Sequence, residues 1–159
     1  MKFFESGEFD NKFIDAINKN IPKTSNRFWE FVDKVNWREN GKYKETFVLE
    51  EIAPYFTHEE FLDFRDIYEN LDTYLSKFLN PIWLGDPGLN VGDDGFWDLR
   101  SSIIGYGKDF YLSVIMDDSN KIVTNMVNTN NYRENFSYIF HFTVTNVNRW
   151  ETIDNEKGK

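Results

Sequence analysis

The chain has 159 residues and a formal net charge of −9, from 27 acidic and 18 basic residues. This charge argues against nucleic acid and anionic membranes as partners and favours a basic protein partner. The absence of cysteine excludes disulfides, zinc–thiolate sites and cysteine nucleophiles. The length fits a single domain, 1–159, and we expect it to be cytoplasmic because neither a signal peptide nor a spanning segment is recognisable.

The sequence pattern of the first part of the chain predicts short helices separated by turns. Residues 1–22 are expected to form an N-terminal arm and a short helix that ends before Pro22. A second helix is predicted after Ser25 or Asn26 as its cap, because apolar residues recur at helical spacing from Phe28 to Val35. A further short helix is predicted around residues 47–52, and Pro54 is expected to end it.

The segment from Thr57 predicts the longest helix. Thr57 and Glu60 have the spacing of a capping box, in which a hydroxyl and a glutamate three residues later satisfy backbone groups. Its apolar stripe comprises Phe61, Phe64, Tyr68, Leu71, Leu75 and Phe78, and the opposite face carries Glu59, Asp63, Asp66 and Asn70. The Asn80-Pro81 pair predicts the end of this helix.

After Pro81 the pattern predicts an ordered loop that lays Trp83 against the core. Asp93 or Asp94 is expected to cap the next helix, which ends at Gly105 or Gly107. Two more short helices follow, over residues 108–116 and from the Asp-Asp-Ser turn at 117–119 through residue 126.

The C-terminal segment has two interpretations. Its composition around residues 138–145 favours a strand, whereas the apolar period over 133–147 favours a helix, which we adopt. The charged tail 151–159 is expected to fray. The whole pattern predicts a mainly α, compact single-domain helical bundle of about six to eight short helices.

Several motifs resemble a known bacterial family. They are Phe28-Trp-Glu-Phe-Val-Asp33, the helix that starts at Thr57-His-Glu-Glu, and Gly92-Asp-Asp-Gly-Phe-Trp-Asp-Leu-Arg100 with the following Ile103-Ile-Gly-Tyr-Gly107. In order and spacing they resemble the family called domain of unknown function 4240. The resemblance implies a helical protein without an assigned activity.

Arg100 is the most distinctive candidate residue, because it lies one turn from Phe96 and one turn from Ile103 on an apolar face. A charge there requires a partner, and Asp33 is the predicted one. The alternative is an anion-binding arginine at the head of a pocket. Asp93, Asp94 and Asp98 lack the spacing of a calcium loop, and we predict neither a metal site nor a cofactor.

Three hypotheses of function remain. The first is a binding module, such as an immunity or regulatory protein, that masks a basic partner through the Glu59, Asp63 and Asp66 face. The second is an enzyme with an unfamiliar pocket around Trp83, Asp93, Trp97 and Arg100, although no catalytic constellation is recognisable. The third is a structural or regulatory domain that associates with itself.

Overall fold

The computed structural model describes residues 25–35, 48–85, 88–117, 119–129, 139–140 and 144–157. All the regular secondary structure in these residues is helical. In chain order they are α1 (Ser25–Lys34), a π-helical turn (Val48–Ile52), α2 (His58–Trp83), α3 (Asp93–Gly105), α4 (Lys108–Ile115), α5 (Lys121–Thr129) and α6 (Val144–Lys157). The prediction of a mainly α single domain is confirmed.

Helix α2 is the central element, and α1, α3 and α6 all pack against it. It begins with the predicted capping box: the Thr57 side chain accepts a hydrogen bond from Glu60 N, and the Glu60 carboxylate accepts one from Thr57 N. Its buried side chains include five of the six predicted stripe residues, and Phe78 is partly buried. The 3.6-residue period therefore specified correctly which face of α2 enters the core.

Aromatic rings fill the space between α1 and α2. The Phe31 ring stacks on Phe64 at a centroid distance of 4.9 Å and meets Phe56 edge-on at 5.8 Å. At the other end of the cluster, Phe61 contacts Trp150 of α6 at 4.9 Å. The tilted and edge-on arrangements are those that the ring quadrupole favours, and they join three helices that are distant in sequence.

Gly107 and Asp117 determine the backbone turns before and after α4. Gly107 is the N-cap of α4 at a φ of 106°, a backbone conformation that glycine adopts far more readily than other residues. Beyond α4, the Asp117 carboxylate accepts hydrogen bonds from Ile122 N at 2.9 Å and Ser119 N at 3.2 Å. The hydrogen bond from Ile122 N is the main reason why the pKa of Asp117 lies below its usual value. The predicted role of this turn in starting α5 is confirmed.

Two predicted helix boundaries are wrong. Helix α2 continues through Pro81 to Trp83, because the Trp83 side chain packs on α3 and Pro81 falls in the last turn, where one backbone hydrogen bond is lost. Helix α3 has Gly92 as its N-cap, so Asp93 and Asp94 lie in its first turn and neither caps it. Carboxylates in a first turn still interact favourably with the helix dipole.

The C-terminal helix also differs from its prediction. It runs over Val144–Lys157 rather than 133–147, so residues 151–157 are helical and not a frayed tail. The physical reason is that Trp150, Asp154 and Lys157 make contacts with the beginning of α2, which the local sequence does not reveal. The predicted N-terminal arm and helix within 1–22 lie outside the described residues, as do residues 133–138 and 141–143 of the predicted C-terminal helix.

Candidate functional site

The candidate arginine lies at the junction of α2 and α3, where it forms an ion pair with Asp72. Arg100 Nε donates to Asp72 Oδ1 at 2.7 Å, and Nη2 lies 3.5 Å from Oδ2. The two side chains are 14% and 21% exposed, so water reaches the pair only partly. A charge-assisted pair of this geometry holds α2 against α3.

The predicted ion pair between Asp33 and Arg100 is therefore wrong, since the partner is Asp72 and Asp33 is exposed. The sequence contained a signal for the correct partner. Asp72 lies one turn after Tyr68 and three residues before Leu75, within the apolar stripe of α2. Arg100 interrupts the apolar stripe of α3 in the same way, and two opposite charges that interrupt two apolar stripes are natural partners.

Aromatic rings support the arginine from α3 and from the end of α2. The guanidinium carbon of Arg100 lies 4.6 Å from the centroid of the Phe96 ring, in a cation–π arrangement. Phe96 also contacts Trp83 at 4.3 Å, and the Trp83 indole N–H donates to Val91 O at 2.9 Å. The prediction that Trp83 lies against the core is confirmed; it is half-buried and belongs to the same cluster as Arg100.

A tight chain reversal places Trp83 in this cluster. Leu89 N donates to Trp83 O at 3.2 Å, and a Cβ at Gly88 would lie only 2.3 Å from that same oxygen. Only glycine allows the backbone to approach itself so closely here. The glycines in this loop therefore position the end of α2.

Tyr111 of α4 also contacts α2 close to the ion pair, at the residue before Asp72. Its hydroxyl donates to Leu71 O of α2 at 3.1 Å, and the side chain is fully buried. Burial raises the pKa of Tyr111 well above its ordinary value, and Tyr74 and Asp72 raise it further. The phenol thus stays protonated and acts as a hydrogen-bond donor between α4 and α2.

The other candidates at the α3 end lie in the first two turns of α3. Asp93 and Asp94 are exposed in the first turn of α3, and Trp97 is half-buried one turn later. The structure shows no group of three or more histidine, aspartate or glutamate side chains placed to bind a metal ion among the residues it describes. Of the four residues of the predicted enzyme site, Arg100 is paired with Asp72, Trp83 and Trp97 are half-buried, and Asp93 is exposed.

The acidic face predicted for α2 is present on its solvent side. Glu59, Asp66 and Glu69 are exposed and Asp63 is half-buried, and these four residues form what we call the acidic face. The other two carboxylates of α2 are in ion pairs, Glu60 with Arg27 and Asp72 with Arg100. Glu69 was missing from the predicted set, although its exposure places it on the same side of α2.

None of the four tryptophans among the described residues is exposed. Trp29 and Trp150 are buried, and Trp83 and Trp97 are half-buried. Tyr55 is exposed at 57%, yet the ammonium of Lys34 lies 3.7 Å from its ring centroid. On the part of the chain that is described, charge rather than aromatic area distinguishes the surface.

Comparison with known proteins gives one family. The model of a family described as "Protein of unknown function (DUF4240)" matches residues 24–144. The chain belongs to this family. The match includes α1 to α5, the Arg100–Asp72 pair and the acidic face, whereas α6 lies almost wholly beyond it.

Searches of curated proteins and of solved structures gave no significant match. The family description assigns no activity. Among the described helices, none combines the length and the apolar character that crossing a bilayer requires.

Proposed function

We propose that this family member is a cytoplasmic protein-binding module that masks a basic protein partner, in the manner of an immunity or regulatory protein. The observation that carries the proposal is the acidic face of α2. Its carboxylates are presented by the most deeply anchored helix of the described bundle, so they form a rigid negative surface. The chain as a whole adds to this field, because its net charge is −9.

The arrangement of charges on α2 supports a role in association. Helix α2 carries six carboxylates and two cationic side chains. Glu60 and Asp72 form ion pairs with Arg27 of α1 and Arg100 of α3, whereas Glu59, Asp66 and Glu69 are exposed. Complementary surfaces of this kind mainly increase the rate of association and select the sign of the partner's charge.

The enzyme hypothesis receives less support from the geometry. An arginine that binds an anionic substrate needs a free guanidinium edge, and Arg100 directs Nε at Asp72 and its plane at Phe96. The structural role that the sequence favoured for Arg100 is the better explanation of these contacts.

The test uses the product of a gene beside the one that encodes this chain, chosen for a basic isoelectric point. Association is followed by stopped-flow tryptophan fluorescence across a range of salt concentrations. The variant E59K/D66K reverses two exposed charges of the acidic face. We expect its association rate at low salt to fall by roughly tenfold and its salt dependence to flatten.

A matched control separates the acidic face from overall charge. The variant E50K/E51K changes the net charge by the same amount, at two exposed positions on the π-helical turn outside α2. If both variants slow association equally, only the net charge matters and the acidic face is not the binding surface. Unchanged rates for E59K/D66K would also refute the proposal.

A further inference from the structure

Helix α6 attaches to the beginning of α2 through one of its faces. Trp150, Asp154 and Lys157 follow one another at spacings of four and three residues, which places them on the same side of a helix. Trp150 is fully buried, its ring lies 4.9 Å from Phe61 and 5.5 Å from His58, and its indole N–H donates to Phe56 O at 3.0 Å.

The polar side chains on this face form hydrogen bonds with backbone groups at the N-terminal end of α2. Asp154 Oδ2 accepts a hydrogen bond from His58 N at 2.8 Å, so α6 supplies an acceptor to the first turn of α2. Lys157 Nζ donates to Phe56 O at 3.0 Å and pairs with Asp154 Oδ1 at 2.8 Å. The site thus has an aromatic pocket for an indole, a backbone donor for a carboxylate and a carbonyl for an ammonium group.

Helix α6 buries fewer of its described side chains than α2 does. Trp150 is buried and Ile153 is packed at the edge of the core, whereas most of the remaining described side chains of α6 are exposed. Helix α2 has eight buried side chains. Segments with few buried apolar contacts open at lower free energy than the rest of a domain. The match to the family also ends at residue 144, where α6 begins.

We propose that α6 is a detachable strap that occupies a helix-docking site at the beginning of α2, formed by Phe56, His58 and Phe61. The site accepts a helix with tryptophan, aspartate and lysine at positions i, i+4 and i+7. The occupant of the site is α6 itself, and α1 to α4 stay folded when α6 detaches. This inference is independent of the acidic face and of any basic partner.

Hydrogen exchange of the full chain, measured by mass spectrometry, tests the detachment. We expect the amides of α6 to exchange at least about tenfold faster than those at the centre of α2, because α6 opens locally. The variant D154A/K157A removes the polar anchors, so it should accelerate exchange in α6 further and leave the centre of α2 unchanged. Equal exchange of α6 and α2, with both accelerated together by the variant, would overturn the proposal.

A labelled synthetic peptide with the sequence of residues 144–157 tests the docking site. Fluorescence anisotropy should show binding to D154A/K157A at least about tenfold tighter than to the unmodified chain, since the resident α6 competes less. A peptide with the W150A change should not bind. Binding of the natural peptide to neither protein, or to both equally, would overturn the proposal.

A second variant controls for general effects on α6. Glu151 and Glu156 are exposed on the same helix and outside the docking face. The variant E151A/E156A should therefore leave the exchange of α6 and the affinity for the peptide as they are in the unmodified chain. A change equal to that of D154A/K157A would show that the three-residue pattern is not what holds α6.

Discussion

The Arg100–Asp72 pair allows the sharpest test of how this bundle is held together. The perturbation is Asp72→Asn, which keeps the size of the side chain and one acceptor oxygen but removes the negative charge. Arg100 then remains at the α2–α3 junction with a side chain only 14% exposed and without an ionised partner. The loss of stability should come from the uncompensated guanidinium rather than from altered packing.

The magnitude follows from the position of the pair. Removing one partner of a fully buried pair costs about 3–5 kcal/mol, and exposed pairs contribute about 0–1 kcal/mol. With exposures of 14% and 21%, the pair lies between these cases. We expect Asp72→Asn to lower the free energy of unfolding by about 2 kcal/mol, and the midpoint of thermal unfolding by about 4–8 °C for a domain of this size.

The assay is urea unfolding followed by tryptophan fluorescence, with a double-mutant cycle. Arg100→Met removes the cation and keeps much of the apolar stem, and the double variant D72N/R100M completes the cycle. We expect a coupling energy of about 1–2 kcal/mol between the two positions. Asp33→Asn is the control, because Asp33 is exposed and should change stability by less than about 0.5 kcal/mol. A coupling energy near zero, or equal costs for D72N and D33N, would refute the reasoning.

Three further substitutions test single features. Thr57→Ala removes the hydroxyl of the capping box and should lower the free energy of unfolding in urea by about 1 kcal/mol; an unchanged free energy would mean that the hydrogen bond from Glu60 N to Thr57 adds no stability. Gly107→Ala should cost about 1–3 kcal/mol, because its φ is 106°. Gly92→Ala is its matched control, since Gly92 has a φ of −79° and open space around it, and equal costs would exclude strain as the cause. Tyr111→Phe removes the hydrogen bond to Leu71 O and should cost about 1 kcal/mol at neutral pH. Because the folded-state pKa of Tyr111 is raised, its contribution is complete below a pH of about 10 and is lost as the pH rises above that. The phenylalanine variant should therefore lose less stability than the parent in alkaline titrations, and parallel curves would contradict this assignment.

Local rules were sufficient where neighbouring residues determine the outcome. The capping box at Thr57 and the apolar stripe of α2 depend on spacings of three and four residues, and both are present as predicted. The Asp117 turn is similar, because its hydrogen bonds join residues at most five positions apart. The mainly α architecture follows from such periodic patterns.

The sequence did not determine the features that depend on distant pairs. Asp33 and Asp72 were both available as partners for Arg100, and the packing of α3 on α2 selected Asp72. Of the candidate site, the acidic face was predictable because exposure follows from helical phase.

The sequence by itself therefore determined that α2 and the neighbouring segments are helical, which face of α2 enters the core and that the protein carries a net negative charge. Only the tertiary structure decided that α2 continues past Pro81 and that the charged C-terminal residues form a docked helix. The physical reason is the same in both cases. Trp83 and Trp150 pack on aromatic rings of other helices, Phe96 of α3 and Phe61 of α2, and these contacts outweigh the local tendency of the chain to end a helix or fray.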